Sequence, residues 1–174
     1  MDLSVRVLVI AYCAESTLVS TLDRIPEVVA GRPTSIVVSD DASVDATAAV
    51  ARSWAAGSGR PTTTVVRRPQ NLGYGGNQIA SYLEAIDDGV GVVAVLHGDG
   101  QYPPEYLESL VAPIVSGRAD AVFGSRMLMR GAARRGGMPL DRYLGNRGLS
   151  SVQNALTGAG LSEWHSGFHA YRTA

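Results

Sequence analysis

The sequence predicts an open, doubly wound α/β sheet, mostly parallel, with helices on both faces. Three observations carry that prediction. Short runs such as "VRVLVIAY" (5–12) and "GVVAVL" (91–96) are almost continuously apolar and rich in valine, the pattern of strands buried on both faces, as parallel strands are. These runs alternate with stretches long enough for helices, and β-α-β-α order builds a sheet with right-handed crossovers. Aspartates, glycines and a histidine fall directly after the strand-like runs, and in such sheets ligands bind outside the carboxyl ends of the strands.

Taken in order, the strands are expected at 5–12, "TSIVVS" (34–39), "TTTVVRR" (62–68), 91–96 and "ADAVFG" (119–124). Helices are expected near 15–30, 44–56, 76–88 and 104–116. Ser43 and Asp45 precede an alanine-rich stretch as caps do, and Pro103-Pro104 open the helix that carries Leu107, Leu110, Val111 and Ile114. Residues 125–140 are rich in glycine and arginine without an apolar period and read as a loop. A helix over 141–157 and a short last strand in "FHAYR" complete the chain.

At 174 residues the chain is most simply one domain with a proper core. Its formal net charge of -1 supplies no global case for nucleic acid or for an anionic membrane. The distribution is less even than the sum. All 15 basic residues are arginine, and between Arg126 and Arg147, a span that also holds Arg130, Arg134, Arg135 and Arg142, the only acid is Asp141. The single cysteine, Cys13, excludes an intramolecular disulfide framework and fits a reducing cytoplasm; it reads as a small packing residue. The first residues lead straight into a strand, without a signal-peptide layout. The longest apolar run is about eight residues, against roughly 20 for a bilayer-spanning helix.

Three loops at the expected carboxyl edge carry the chemistry. "SDDASVDAT" places three aspartates within six positions. Capping explains Ser43 and Asp45, but adjacent Asp40 and Asp41 repel unless a donor or cation sits with them; a carboxylate there suits a nucleobase N–H or a ribose hydroxyl. "PQNLGYGGNQ" brings Gly73, Gly75 and Gly76 to a helix start, where the backbone can approach phosphate closely, although an ordinary turn accounts for it as well. "LHGDGQYPPE" is the sharpest. Extended residues two apart project to the same side, so His97 and Asp99 converge, with Gln101 supplying an amide oxygen. Imidazole nitrogen with carboxylate and amide oxygens suits Mg²⁺ or Mn²⁺ with positions open for phosphate oxygens. The plainer reading is a capping aspartate and a hydrogen-bonded histidine at a turn.

With "FGSR" downstream, these motifs resemble the family 2 glycosyltransferases, closest to the dolichyl- and polyprenyl-phosphate sugar synthases. "VLVIAYCAE" is similar to that family's opening strand, "NLGYGGNQ" to its N-x-G-x-G, "GDGQYPPE" to its D-A-D-x-Q-x-P-P-E and "WHSGFHAYR" to its S-G-F-R-x-F. The likeness runs over nearly the whole chain, in the family's order. It implies a GT-A fold over residues 1–174, a GDP- or UDP-linked sugar donor, a divalent cation and inversion at the anomeric carbon. Relatives usually continue into amphipathic or membrane-spanning helices that present a lipid. A polyprenyl-phosphate acceptor would place the chain at the cytoplasmic face of a membrane, peripherally attached.

By position, the resemblance puts Ala11 and Tyr12 against the nucleobase, Ser39 and Asp41 against base and ribose, and Gly98 and Asp99 at the donor. It aligns His97, Asp99 and Gln101 with the metal motif. Arg126 would face the donor diphosphate or the acceptor phosphate, serving with Asp99 in catalysis. Arg142 and Arg147 suit an acidic acceptor. The chain departs from the family pattern at Ile10, Cys13 and Ala14, and most of all at His97, which stands where the first metal carboxylate usually is. If His97 is a ligand, activity is expected to fall as the imidazole protonates on the acid side of neutrality; otherwise Asp99 and Gln101 hold the cation with help from the diphosphate.

An anionic phosphate acceptor needs no protein base, whereas a hydroxyl acceptor does, and Glu163 and His165 in "SEWHSGF" are the nearest candidates. His169, inside a strand, reads as a core histidine. A non-catalytic nucleotide-sugar-binding domain and a nucleotidyltransferase stay open, although "YCAEST" lacks the glycine-rich basic signature of the latter.

Overall fold

The computed structural model describes residues 3–60, 62–128 and 138–173. The chain falls into two compact units: one runs to Val122 and takes in the chain from His169 onward, and the other is Phe123–Phe168.

The first unit is built on a sheet. Its strands are β1 (Val5–Ala11), β2 (Val28–Val29), β3 (Arg32–Asp40), β4 (Thr63–Arg67), β5 (Val92–His97), β6 (Ala121–Phe123, whose last residue begins the second unit) and β7 (His169–Arg172). Among the described residues their order is β2-β3-β1-β5-β7-β6, with β4 also paired to β3. β1 lies parallel to β3 and β5, and β4 parallel to β3. β7 returns antiparallel along β5. Valine dominates β1 and β5, whose side chains pack on both faces of the sheet: Val5, Val7, Val92, Val93 and Val95 are buried. β-branched side chains suit this pleated, two-sided burial. Leu8, Val37, Val93 and Val95 share a cluster with Ala85 and Val90, against which Tyr82 packs.

Among the described residues the helices are α1 (Leu18–Leu22), α2 (Thr47–Gly57), α3 (Gly73–Asp87), α4 (Leu107–Val115) and α5 (Leu140–Thr157), with a 3₁₀ turn at Pro104–Tyr106. The amphipathic pattern of α4 buries Leu107, Leu110, Val111 and Ile114, as its spacing predicts. The helix expected over 15–30 is cut to five residues. Pro26 cannot donate to a continuing helix, and a hairpin replaces it. Ala30 (φ 52) and Gly31 (φ 72) turn left-handed between β2 and β3. The expected cap of α2 also differs in detail. Its N-cap position is Ala46, and Asp45 accepts from the Thr47 N–H and hydroxyl, while Ser43 is used elsewhere.

Register decides where the strands stop. Ile10 lies opposite His97 and Ala11 opposite Asp40, so the carboxyl ends of β3, β1 and β5 finish level. Everything that follows them emerges at one edge.

Candidate active site

Three loops leave that edge. The first, after β1, turns at Cys13 (φ 49), a left-handed conformation that is uncommon outside glycine. It is held there by its neighbour: the Cys13 N–H donates to Ser43 Oγ at 2.9 Å and the Ala14 N–H to Thr47 Oγ1 at 2.8 Å. The second, after β3, turns at Ala42 (φ 58). Here the adjacent aspartates part company. Asp40 is buried; its Oδ1 accepts from the Ser43 N–H and hydroxyl, and Arg67 Nε stands 3.4 Å from its Oδ2. Asp41 turns the other way and accepts the Leu72 N–H on Oδ1 at 2.8 Å. The repulsion that the sequence posed is relieved by giving each carboxylate its own donors.

The third loop follows β5. Gly98 is tightly packed there: a Cβ would meet Ala11 Cβ and Leu18 Cδ1 at 3.2 Å, and both neighbours would have to give by a few tenths of an ångström. Its N–H donates to Ile10 O at 2.8 Å, and its carbonyl accepts the Thr17 hydroxyl at 2.8 Å. His97 sits between two tyrosine rings, edge-on, with centroids 5.0 Å from Tyr74 and 5.1 Å from Tyr102. Asp99 is exposed, and its Oδ1 accepts the Gln101 N–H at 3.0 Å.

Together with a fourth segment, which leads from β4 into the start of α3, the loops enclose an open cleft of about 380 Å³ lined by Ile10, Tyr12, Ala14, Asp41, Asn71, Gly73, Tyr74, His97, Gly98 and Asp99. That volume is within the range usual for small-ligand sites, about 300–1,000 Å³. Burial pushes the Tyr74 hydroxyl up to about 12, so it stays a neutral O–H donor at any ordinary pH.

Of the residues nominated from sequence, Tyr12, Asp41, His97, Gly98 and Asp99 line one cleft. Ala11 is buried just behind it, at the end of β1. Gln101 is exposed and reaches Asp99 through its backbone, not its side chain. Ser39 is the clear difference: it is fully buried, and its hydroxyl donates to Asn77 Oδ1 at 2.6 Å, with no place on the cleft surface. Asn71 and Tyr74 line the cleft as well and were not among the sequence candidates, although both lie inside "NLGYGGNQ". Asn77 closes that same motif and Arg68 ends "TTTVVRR"; they organise this wall from beneath, and no neighbouring residue marks that role.

The remaining nominees lie in the second unit. Glu163 is buried there and bound to Arg126: its Oε1 accepts from Arg126 Nη2 at 2.6 Å and Asn146 Nδ2 at 3.0 Å, and its Oε2 from the Arg126 N–H at 2.8 Å. A carboxylate so committed is a poor general base. Arg142 and Arg147 are exposed on α5, the latter over the Tyr143 ring at 5.8 Å from its centroid, and His165 is exposed as well. Arg130, Arg134 and Arg135 lie outside the described residues.

Among the described residues no three of His, Cys, Asp and Glu gather closely enough for a closed metal cage. Asp99 and His97, a carboxylate and an imidazole lining one cleft, are ligand types that a hard divalent cation accepts, and they would hold one only with further oxygen donors from a diphosphate and water.

The cleft lies at the carboxyl ends of a mostly parallel sheet and carries an acidic loop, a glycine-bounded helix start and an H-G-D turn, in an α/β domain with the GT-A fold. The same fold is found in glucosyl-3-phosphoglycerate synthase from Mycobacterium tuberculosis, solved with Mn²⁺, UDP and glucosyl-3-phosphoglycerate, at a TM-score of 0.68 and 21% identity over 99% of this chain and 57% of that one. The sequence model described as glycosyl transferase family 2 matches residues 6–173, and the chain belongs to that family. It is similar to the UDP-N-acetylglucosamine–dolichyl-phosphate N-acetylglucosaminyltransferase of Methanococcus voltae, 29% identical over 61% of this chain and 41% of the relative. It is also similar to the dolichol-phosphate mannosyltransferase of Pyrococcus furiosus, 30% identical over 86% of this chain and 40% of the relative. The chain thus spans about two fifths of the length of these relatives.

Proposed function

We propose that residues 1–174 form the donor-binding catalytic domain of an inverting glycosyltransferase that moves a sugar from a GDP- or UDP-linked donor to a polyprenyl phosphate. The observation that carries this reading is the convergence of Asp41, Tyr12, Tyr74, His97 and Asp99 on one cleft. Asp41 and Tyr12, at the ends of β3 and β1, would take the nucleoside: a carboxylate accepts from base N–H or ribose O–H, and the Tyr12 ring, half exposed, can lie against a base. Asp99 and His97 would hold Mg²⁺ or Mn²⁺ together with the diphosphate. The cation, when bound, neutralises the charge that grows on the departing nucleoside diphosphate.

An acceptor phosphate is already an anionic nucleophile, so no base is needed, and the engagement of Glu163 with Arg126 supports that choice over a hydroxyl acceptor. Arg126, Arg142 and Arg147 would meet the acceptor's charge. α5 supports a lipid partner: Leu140, Leu144, Leu149, Val152 and Leu156 are exposed on it, with Arg142 and Arg147 alongside. Such a helix can lie against an anionic bilayer, which suits peripheral attachment at the cytoplasmic face. No helix of the described residues is long and apolar enough to cross a membrane. The relatives' dolichyl-phosphate activities support the same acceptor class.

His97 in place of a carboxylate favours one second reading, a domain that binds nucleotide sugar without turnover. A thermal-shift panel of UDP, GDP and their sugars, with and without Mn²⁺, on wild type and Asp99→Ala, tests the donor site. Stabilisation by one base family, dependent on both Mn²⁺ and Asp99, is the expected result. Sugar transfer to a short polyprenyl phosphate then separates enzyme from binding domain; binding without transfer selects the latter.

A further inference from the structure

One wall of the cleft, Asn71 to Tyr74, is exposed and makes no core of its own. What sets its distance from Asp41, His97 and Asp99 is therefore a question about its anchor. That anchor is Arg68, the residue after β4, whose side chain is 8% exposed. Its backbone N–H donates to Asp40 O at 2.8 Å. Its Nε donates to Ser39 Oγ at 3.2 Å and Asn77 Oδ1 at 2.9 Å, and its Nη2 to Ser81 Oγ and Glu84 Oε2 at 2.8 and 2.9 Å, while Nη1 meets Glu84 Oε1. Ser39 and Asn77 are further joined through the Asn77 Nδ2 donor to Ser39 O at 3.1 Å.

One planar fork thus ties the last turn of β3 to three successive turns of α3. The ring closes on the cleft side, where Asp41 accepts the Leu72 N–H. None of Ser39, Arg68, Asn77 and Ser81 lines the cleft. A buried guanidinium is unfavourable unless every donor is met, and here the acceptors come from exactly the two elements that bear the cleft's nucleoside side.

We propose that Arg68 is a positioning residue for donor binding: by fixing the start of α3 against the end of β3, it sets the width of the cleft between the Asn71–Tyr74 wall and Asp41. This rests on the donor site proposed above. It assigns Ser39 to the same device, beneath the nucleoside instead of against it.

The test is the affinity of the intact chain for UDP and GDP with Mn²⁺, by titration calorimetry, in wild type, Arg68→Lys, Ser81→Ala and Ile114→Ala. Lysine keeps the charge and loses the fork. Arg68→Lys is expected to weaken nucleotide binding by about tenfold, equivalent to about 1.4 kcal/mol, with kcat at saturating donor within about twofold of wild type. Ser81→Ala, which removes one acceptor of the fork and leaves the rest, should weaken binding by about threefold. Ile114→Ala, a truncation of a fully buried side chain on α4, should lower thermal stability and leave affinity unchanged. Unaltered affinity in Arg68→Lys overturns the proposal, as does an equal loss in Ile114→Ala. A wild type that binds neither nucleotide removes the donor site itself, and the positioning role falls with it.

Discussion

Arg68 and Arg126 each meet a glutamate, and the two pairs are built inside out. In the first unit the cation is the buried partner: the side chains of Arg68 and Glu84 are 8% and 45% exposed. In the second the anion is buried, Arg126 and Glu163 being 38% and 0% exposed. The pair distances alone do not distinguish them; the direction of burial does. A charge removed from water depends on its partners, whereas a partner at the surface can fall back on solvent. Arg68 has acceptors besides its glutamate in Ser39, Asn77 and Ser81. Glu163 takes most of its hydrogen bonds from Arg126, with Asn146 adding one. The first pair should tolerate loss of its acid, and the second should not tolerate loss of its base.

The largest effect is expected in the second unit. Arg126→Ala leaves a buried carboxylate with only its backbone donor and Asn146, and should destabilise that unit by about 3–5 kcal/mol. Limited proteolysis and denaturant midpoints would show it. Adding Glu163→Gln should recover most of the loss; a double variant as unstable as the single one would break the buried-acid account. In the first unit, Arg68→Met strands the acceptors of Ser39, Asn77 and Ser81 but releases Glu84 to water, so a loss of about 2 kcal/mol is expected in the unfolding free energy. A loss as large as that of Arg126→Ala would erase the contrast. Glu84→Gln should change stability by less than about 1 kcal/mol, since its carboxylate is already close to half exposed.

The smallest effects belong to carboxylates that are neither buried nor essential. The hydrogen bonds from Thr47 hold Asp45 below the usual carboxylate range, and the Arg24 guanidinium does the same for Glu105. A lowered folded-state value means stability that is present above the ordinary value of about 4 and lost as pH falls below it. Stability should therefore be flat in pH from 7 to about 5 on their account, with a shallow acid decline that Asp45→Asn makes shallower still. An unchanged acid limb in that variant would show that Thr47 gains nothing from the charge.

The fold was largely legible because its signals are local. Valine-rich runs, their spacing and Pro103-Pro104 are each read within a few residues, and β1, β3, β4 and β5 appear within two residues of where they were expected. The helix expected over 15–30 failed where Pro26 and the Ala30-Gly31 turn outweighed an apolar pattern that suited either structure. At the site, "HGDGQ" pointed to His97 and Asp99, and both line one cleft, although β5 ends at His97 and Asp99 stands on the turn beyond it, where strand periodicity no longer applies.

The sequence by itself determined that acidic, glycine-bounded and H-G-D segments would gather at one edge, because a parallel sheet ends its strands there. Only the tertiary structure decided what each aspartate and serine in "SDD" does. Ser39 is drawn beneath the surface by Asn77, Asp40 is held by Ser43 and Arg67, and Asp41 is left to line the cleft beside Leu72. Asn77 lies 38 residues from Ser39, and Leu72 lies 31 from Asp41. A polar group's role is set by the partner that meets it after folding, and partners so far along the chain leave no trace in the residues beside it.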